Sequence, residues 1–140
     1  MNLSNENEKV IKSRETIQLM VERDSLTGLL NRPACEMHYK AAMVQLKDEH
    51  ERIILFFLDL DNFKNINDSF GHNAGDELLI SIANGLQKLL LSTDVACRLG
   101  GDEFVLIIKR NDMFDIDHFA DDILKIITTP YSIYDTTIRM

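Results

Sequence analysis

Positive charge is what this sequence is short of. Lys and Arg number 15 against 23 Asp and Glu, for a formal net charge of −8 and a pI of about 4.9. A surface that grips DNA or RNA needs a basic stripe to displace counterions, so a nucleic-acid polymer is excluded as a partner. A mononucleotide is not excluded, because one Mg²⁺ with a few local donors can hold it on an acidic protein. Long apolar runs are missing too. The longest, Ile53 to Leu58, falls far short of the ~20 residues a membrane-crossing helix needs, so the chain carries no membrane segment. Cysteine is scarce: Cys35 and Cys97 have no metal-ligand spacing with any histidine, and no secretory h-region accompanies them. Both read as reduced packing residues of a cytoplasmic protein. There is no Walker A sequence, which removes the P-loop NTPases. Repeats, low-complexity tracts and Pro/Gly-rich linkers are absent, and 140 residues suffice for one domain with a real core but not for two.

What is present reads as interleaved helices and strands. Residues 1–23 suggest a polar lead-in helix, with Val10, Ile17 and Met20 on a heptad-like seam that Ser13 and Asp24 interrupt. Asp24-Ser25-Leu26-Thr27-Gly28 breaks that pattern, and Pro33 suits the first turn of a helix running to about Lys47, with Met37, Ala41 and Val44 on one face. Arg52 to Leu60 is short and almost wholly apolar, which predicts a central strand buried on both faces. Asn62 to Phe70 reads as helix, Gly71 to Gly75 as a break, and Asp76 to Leu91 as an apolar helix. Val95–Leu99 and Phe104–Lys109 read as strands joined by Gly100-Gly101-Asp102-Glu103, whose glycines supply the positive φ of a tight hairpin. Asp112 to Thr128 is amphipathic, with Phe119, Ile123, Ile126 and Ile127 inward, and Tyr131–Tyr134 with Thr137–Met140 form the arms of a last hairpin. The class is α/β or α+β with one central sheet.

Chemistry gathers at three places. Strand alternation puts Asp59 and Asp61 on one side and Leu60 on the other. Paired carboxylates at the mouth of an apolar strand repel unless a cation or donors compensate, and hard oxygens suit Mg²⁺. For Asp61, capping of the next helix competes evenly with metal ligation. Asp59 is still inside the strand, where ligation is the better reading. Asp102-Glu103 is either a solvated hairpin tip or a second acidic strand end that converges with the first on one metal, Gly100 and Gly101 leaving room for a nucleotide. Asn67-Asp68 and Gly71-His72-Asn73-Ala74-Gly75-Asp76 supply amide and carboxylate groups around a helix break, and an Asn with an Asp can read a guanine edge, the carboxylate accepting from N1–H and N2–H₂. The competing reading has Asp76 as a helix cap and Gly71 and Gly75 as turn formers. His72 reads as a turn or packing histidine.

Taken together, Asp24-Ser25-Leu26-Thr27-Gly28-Leu29-Leu30-Asn31-Arg32, Phe57-Leu58-Asp59-Leu60-Asp61-Asn62-Phe63-Lys64-Asn65-Ile66-Asn67-Asp68, Gly71-His72-Asn73-Ala74-Gly75-Asp76 and Arg98-Leu99-Gly100-Gly101-Asp102-Glu103-Phe104 resemble the GGDEF family of bacterial diguanylate cyclases. The resemblance implies an α+β, α/β-sandwich-like fold: a central mixed, largely antiparallel sheet flanked by helices, like the palm of polymerases and class III nucleotide cyclases. It divides the chain into a lead-in signalling helix, 1–23, and the domain proper, 24–140. It implies that two GTP condense to cyclic di-GMP across a homodimer, with Mg²⁺ or Mn²⁺ as cofactor and a sensor or other signalling domain in the parent protein. Carried over by position, Asp59, the Leu60 carbonyl, Asp102 and Glu103 would ligate metal, with Asp59, Asp102 and Glu103 catalytic. Asn67 and Asp76 would read guanine, Phe63-Lys64 would open the phosphate loop, and Gly100 and Gly101 would lie against the nucleotide.

Two departures qualify the match. Product-inhibited relatives carry Arg-x-x-Asp before the signature; here Leu91-Ser92-Thr93-Asp94 lacks the arginine, so tight cyclic di-GMP binding there is not expected. Family domains also continue past this point into a core strand and helix that add basic residues. The expectation is therefore that the 140-residue chain turns over GTP poorly. The rival readings are a non-catalytic GTP-binding or partner-binding regulatory module and a purely structural dimerisation domain.

Overall fold

A computed structural model of the chain describes residues 22–60, 63–128, 131–133 and 136–138, with side chains as far as residue 128. The expected lead-in helix as far as residue 21, Asp61 and Asn62, Tyr134 of the first expected hairpin arm and residues 139–140 of the second lie outside the described residues. The elements run α1 (Arg32–Val44), β1 (Glu51–Asp59), α2 (Phe63–Phe70), α3 (His72–Lys88), β2 (Val95–Gly100), β3 (Glu103–Asn111), α4 (Ile116–Thr128), β4 (Tyr131–Ile133) and β5 (Thr136–Ile138). β1, β3 and β2 form an antiparallel sheet in that spatial order, and β4 pairs with β5 in the expected hairpin. A parallel bridge from Leu30 to Cys97 makes the sheet locally mixed.

The sheet separates two apolar regions. On one face Leu106, Phe104 and Ile108 pack with Leu78, Leu79, Ile82 and Leu86 of α3 and Phe119 and Ile123 of α4, the main core. On the other, Val105 and Ile107 meet Cys35 of α1 and Cys97 of β2. Both thiols are free and buried, as packing residues should be, and burial with Cys35 alongside pushes the Cys97 thiol well up. α1 begins where Asn31 accepts the Ala34 N–H at 3.1 Å, with Pro33 in the first turn. It ends at Val44, short of Lys47, and buries Cys35 rather than the Met37–Ala41–Val44 stripe; Met37 and Val44 are 69% and 85% exposed.

Two expectations are corrected here. Among the described residues the strand with partners on both sides is β3, not β1. Phe104 to Ile108 are all buried, whereas β1 pairs only with β3 among the described residues and leaves Phe57 70% exposed. An apolar run records how much surface a strand could bury and not its place in the sheet. Second, the break between helices is Gly71 alone, at φ 89°; α3 starts at His72, with Gly75 and Asp76 already inside it. Asp76 is therefore not a cap, and Gly75 is not a turn residue.

Asp94, the surviving acid of the Arg-x-x-Asp position, is a structural group. Its buried carboxylate takes Arg110 bidentately at 2.8 and 2.7 Å and accepts the Leu91 and Lys109 N–H groups at 2.9 and 3.2 Å. Burial pushes this carboxyl up, but Arg110 and the two backbone donors hold it below its ordinary value. Asp94→Asn is expected to cost about 3–5 kcal/mol in urea denaturation, because it strands the Arg110 cation. The folded carboxyl titrates below its unfolded value of ~3.9, so the stability it contributes is complete above that pH and is lost as pH falls through the lower folded value. The variant should lack that acid-side loss.

Candidate active site

Asp59 ends β1 directly opposite Glu103, the first residue of β3. Opposed residues of an antiparallel pair share a face, with Cβ atoms about 5 Å apart. The two acidic strand ends thus converge, as one of the two readings of the hairpin tip requires. They line a cleft of about 320 Å³ together with Arg32, Phe57, Leu58, Leu99 and Phe104. Arg32, from the start of α1, stands 3.9 Å from the Glu103 carboxylate. Asp102 does not line this cleft; its carbonyl accepts the Leu60 N–H at 3.3 Å, tying the hairpin tip to the end of β1. Leu60 is 3% exposed with its side chain in the main core, so its backbone carbonyl is the group it can offer a ligand.

The tip itself is clamped. β2 carries an extra residue between Arg98 and Gly100, a bulge, and Gly100 pairs with Glu103 across Gly101-Asp102. Gly101 sits at φ 49°, a conformation that favours glycine, and open space surrounds the position a Cβ would take there or at Gly100. Arg98 donates through Nε and Nη2 to the Gly101 carbonyl at 3.0 and 2.9 Å, while Nη1 reaches the Asp24 carboxylate at 3.1 Å. Asp24 also accepts the Thr27 N–H at 2.8 Å and hydroxyl at 2.7 Å. Burial pushes the Asp24 carboxyl up, and these Thr27 and Arg98 bonds outweigh it and hold the group low.

A second group of candidates lies on the helix pair. Phe63 and Asn67 lie one turn apart on α2, and both sit against Gly75 of α3. Asn67 Oδ1 is buried without a hydrogen-bond partner, and among the described residues no other buried side-chain polar atom is in that state. Asp76 and Lys64 are exposed, and the Phe63 ring packs against the main core.

Residues 21–140 match the family described as diguanylate cyclase, GGDEF domain. The chain belongs to the GGDEF family. It is 38% identical over 128 residues to the bifunctional diguanylate cyclase/cyclic di-GMP phosphodiesterase MucR of Pseudomonas aeruginosa, covering 91% of this chain and 18% of that protein. It is 40% identical over 112 residues to the diguanylate cyclase DgcP of Escherichia coli, covering 80% of this chain and 33% of that one. The GGDEF chain therefore spans a third or less of these two relatives. Among solved structures, a sensory box/GGDEF family protein from Caulobacter crescentus superposes with a TM-score of 0.78 at 34% identity, over 85% of this chain and 78% of that one. The coiled coil and GGDEF domain of DgcB from Caulobacter crescentus, in complex with c-di-GMP, gives 0.78 at 25% identity, over 97% and 72%. The neighbours share the α+β palm-type fold that the sequence motifs imply.

Sequence reasoning assigned no role to Arg32, Arg98 or Asp24 of this GGDEF domain. All three stand inside the quoted motif blocks, but the pairing of Arg98 with Asp24 spans 74 positions and has no local signature. Among the described residues no three His, Cys, Asp or Glu side chains form a metal cluster. Two carboxylates and a carbonyl at a cleft mouth still fit Mg²⁺, which keeps waters and substrate phosphates as its remaining ligands.

Arg98→Lys should release the glycine turn, since one ammonium cannot reproduce a planar fork that serves Asp24 and Gly101 together. The expected outcome is amide exchange faster by about tenfold or more at Gly101 to Glu103, corresponding to the ~1.5 kcal/mol of one lost charged hydrogen bond. Unchanged exchange would remove Arg98 from any part in holding the turn.

Proposed function

We propose that this chain is the catalytic domain of a diguanylate cyclase, joining two GTP into cyclic di-GMP with release of two pyrophosphates. The observation that carries the reading is the opposition of Asp59 and Glu103 beside the glycine turn, in a cleft open to a nucleotide. Asp59, the Leu60 carbonyl, Glu103 and the neighbouring Asp102 are the groups that would hold Mg²⁺ or Mn²⁺. A divalent cation there supplies charge neutralisation on the phosphates and a lowered pKa for the attacking hydroxyl.

The chain's own groups bind and orient. The start of α2, at Phe63-Lys64, offers backbone N–H groups and the exposed Lys64 ammonium to the β- and γ-phosphates. The Phe63 ring is committed to packing, so its part is played by the backbone. Asn67 and Asp76 meet the guanine edge, the carboxylate accepting from N1–H and N2–H₂. Gly100 and Gly101 let the ribose and phosphates approach the turn. The 3′-oxygen of each GTP forms the new bond to the α-phosphorus of the other; the α–β phosphoanhydride bond breaks, and the hydroxyl proton passes to Glu103 or to solvent. Each domain holds one GTP, so the reaction needs two domains face to face, and positioning supplies most of the rate. The parent protein would be a cytoplasmic signalling protein or one whose catalytic part faces the cytoplasm, its sensor domain controlling that encounter. No helix among the described residues is long and apolar enough to cross a membrane.

The test incubates the purified chain with GTP and Mg²⁺ and separates products by chromatography, both for the chain alone and for a fusion held dimeric by a leucine zipper. Slow cyclic di-GMP formation by the chain, faster in the fusion, is expected. Asp59→Asn and Glu103→Gln should each lower the rate by about 10²-fold or more, the usual loss of a group that acts on developing charge. Mg²⁺-dependent GTP binding with no product in the fusion would favour the regulatory module, and no binding at all the structural one.

A further inference from the structure

Gly75 lies inside a helix, where glycine is a poor choice, and it is buried. The space its side chain would fill is taken: a Cβ there would collide with Asn67 Oδ1 and press on Asn67 Cγ at 2.9 Å and Phe63 Cζ at 3.3 Å. The comparison within α3 is Gly85, where a Cβ would meet Ile126 Cγ2 at 2.8 Å, an apolar packing contact with α4. At Gly75 the occupant is polar, and it is the orphan acceptor noted above. A carboxamide oxygen turned onto a glycine Cα gains only weak C–H···O contacts. With Oδ1 buried, the amide NH₂ is the end of the side chain that a ligand can reach. The residue that follows Gly75, Asp76, is exposed on α3 and presents only acceptors. The Asn67 carboxamide of α2, lying against Gly75, is thus set beside the residue that precedes Asp76 on α3.

We propose that Gly75 is a positioning residue for base recognition: its missing side chain is the slot that fixes the Asn67 carboxamide, so that Asn67 donates while Asp76 accepts at the edge of one guanine. The inference rests on the reading of Asn67 and Asp76 as guanine contacts, and it adds the residue that sets their geometry. A methyl group at position 75 forces the carboxamide off α3 and breaks the donor half of the pair without touching a nucleotide itself.

The experiment is calorimetric titration of the 140-residue chain with GTP and with ATP in Mg²⁺, for the native sequence, Gly75→Ala, Asn67→Ala and the double variant, with a thermal melt of each. Gly75→Ala should weaken GTP about tenfold, the worth of one hydrogen bond, and leave ATP affinity unaltered, so that the preference for GTP shrinks. A merely destabilised fold would weaken both alike, and that result would overturn the proposal. The double variant should bind GTP no more weakly than Asn67→Ala and should melt above it, since alanine then fills an emptied slot inside a helix. Additive losses, or native GTP affinity in Gly75→Ala, would equally sink the positioning role. If Asn67→Ala binds GTP like the native chain, the guanine reading itself fails and takes this inference with it. Should Gly75→Ala alone not fold, a folded double variant with the affinity of Asn67→Ala supports the slot, and failure of both to fold overturns it.

Discussion

The pairing of β1 with β3 runs without interruption from Glu51–Asn111 to Asp59–Glu103, and everything at the candidate site depends on its register. Side chains alternate along a strand, so a slip of one residue would turn Asp59 into the main core and bring a leucine to the cleft. The alternation of Phe104, Leu106 and Ile108 toward α3 and α4 with Val105 and Ile107 toward α1 forbids that slip, because each set fills its own apolar region. The acidic pair is thus located by hydrophobic packing far from it. Two acidic residues end up opposite one another because the register that buries the remainder of both strands puts them there.

The glycine turn is held in a different way. Open space surrounds the positions a Cβ would take at Gly100 and Gly101, so side-chain packing at these two residues does not fix the turn. Its position is set by polar ties: Arg98 to the Gly101 carbonyl, Arg98 to Asp24, and the Leu60 N–H to the Asp102 carbonyl. A rigid strand end and a clamped, uncrowded loop are a sensible division for a site that must admit a large anion. The strand supplies fixed charge, and the loop supplies accessible backbone.

How much of this was legible depended on range. Gly100-Gly101-Asp102-Glu103 declared itself locally, since paired glycines between two apolar runs have few uses besides a tight turn, and the turn lies where they place it. The inward face of α4 was readable for a similar reason; Phe119 and Ile123 are buried, with Ile126 and Ile127 half-buried behind them. β1 misled because its apolar run is as dense as that of β3, and composition does not say which strand takes partners on both sides. The start of α3 misled because Gly75 and Asp76 look like punctuation, whereas Gly75 is a packing device within the helix. The salt link of Asp24 to Arg98 was invisible, as any pair of distant charges is without a fold to join them. The convergence of Asp59 with Glu103 stayed one of two options until the register was known.

The segment ahead of α1 has an effect on the sheet as a whole. Leu30 donates its N–H to the Ala96 carbonyl at 3.2 Å and accepts the Arg98 N–H at 2.9 Å, closing the outer side of β2 in its middle. That side can no longer serve as a template for another strand, a protection that folded proteins provide for exposed sheet margins. The margin along β1 has no such cover among the described residues. Among the described residues the open margin of this sheet is therefore that of β1, the strand that carries Leu55, Phe57 and Asp59.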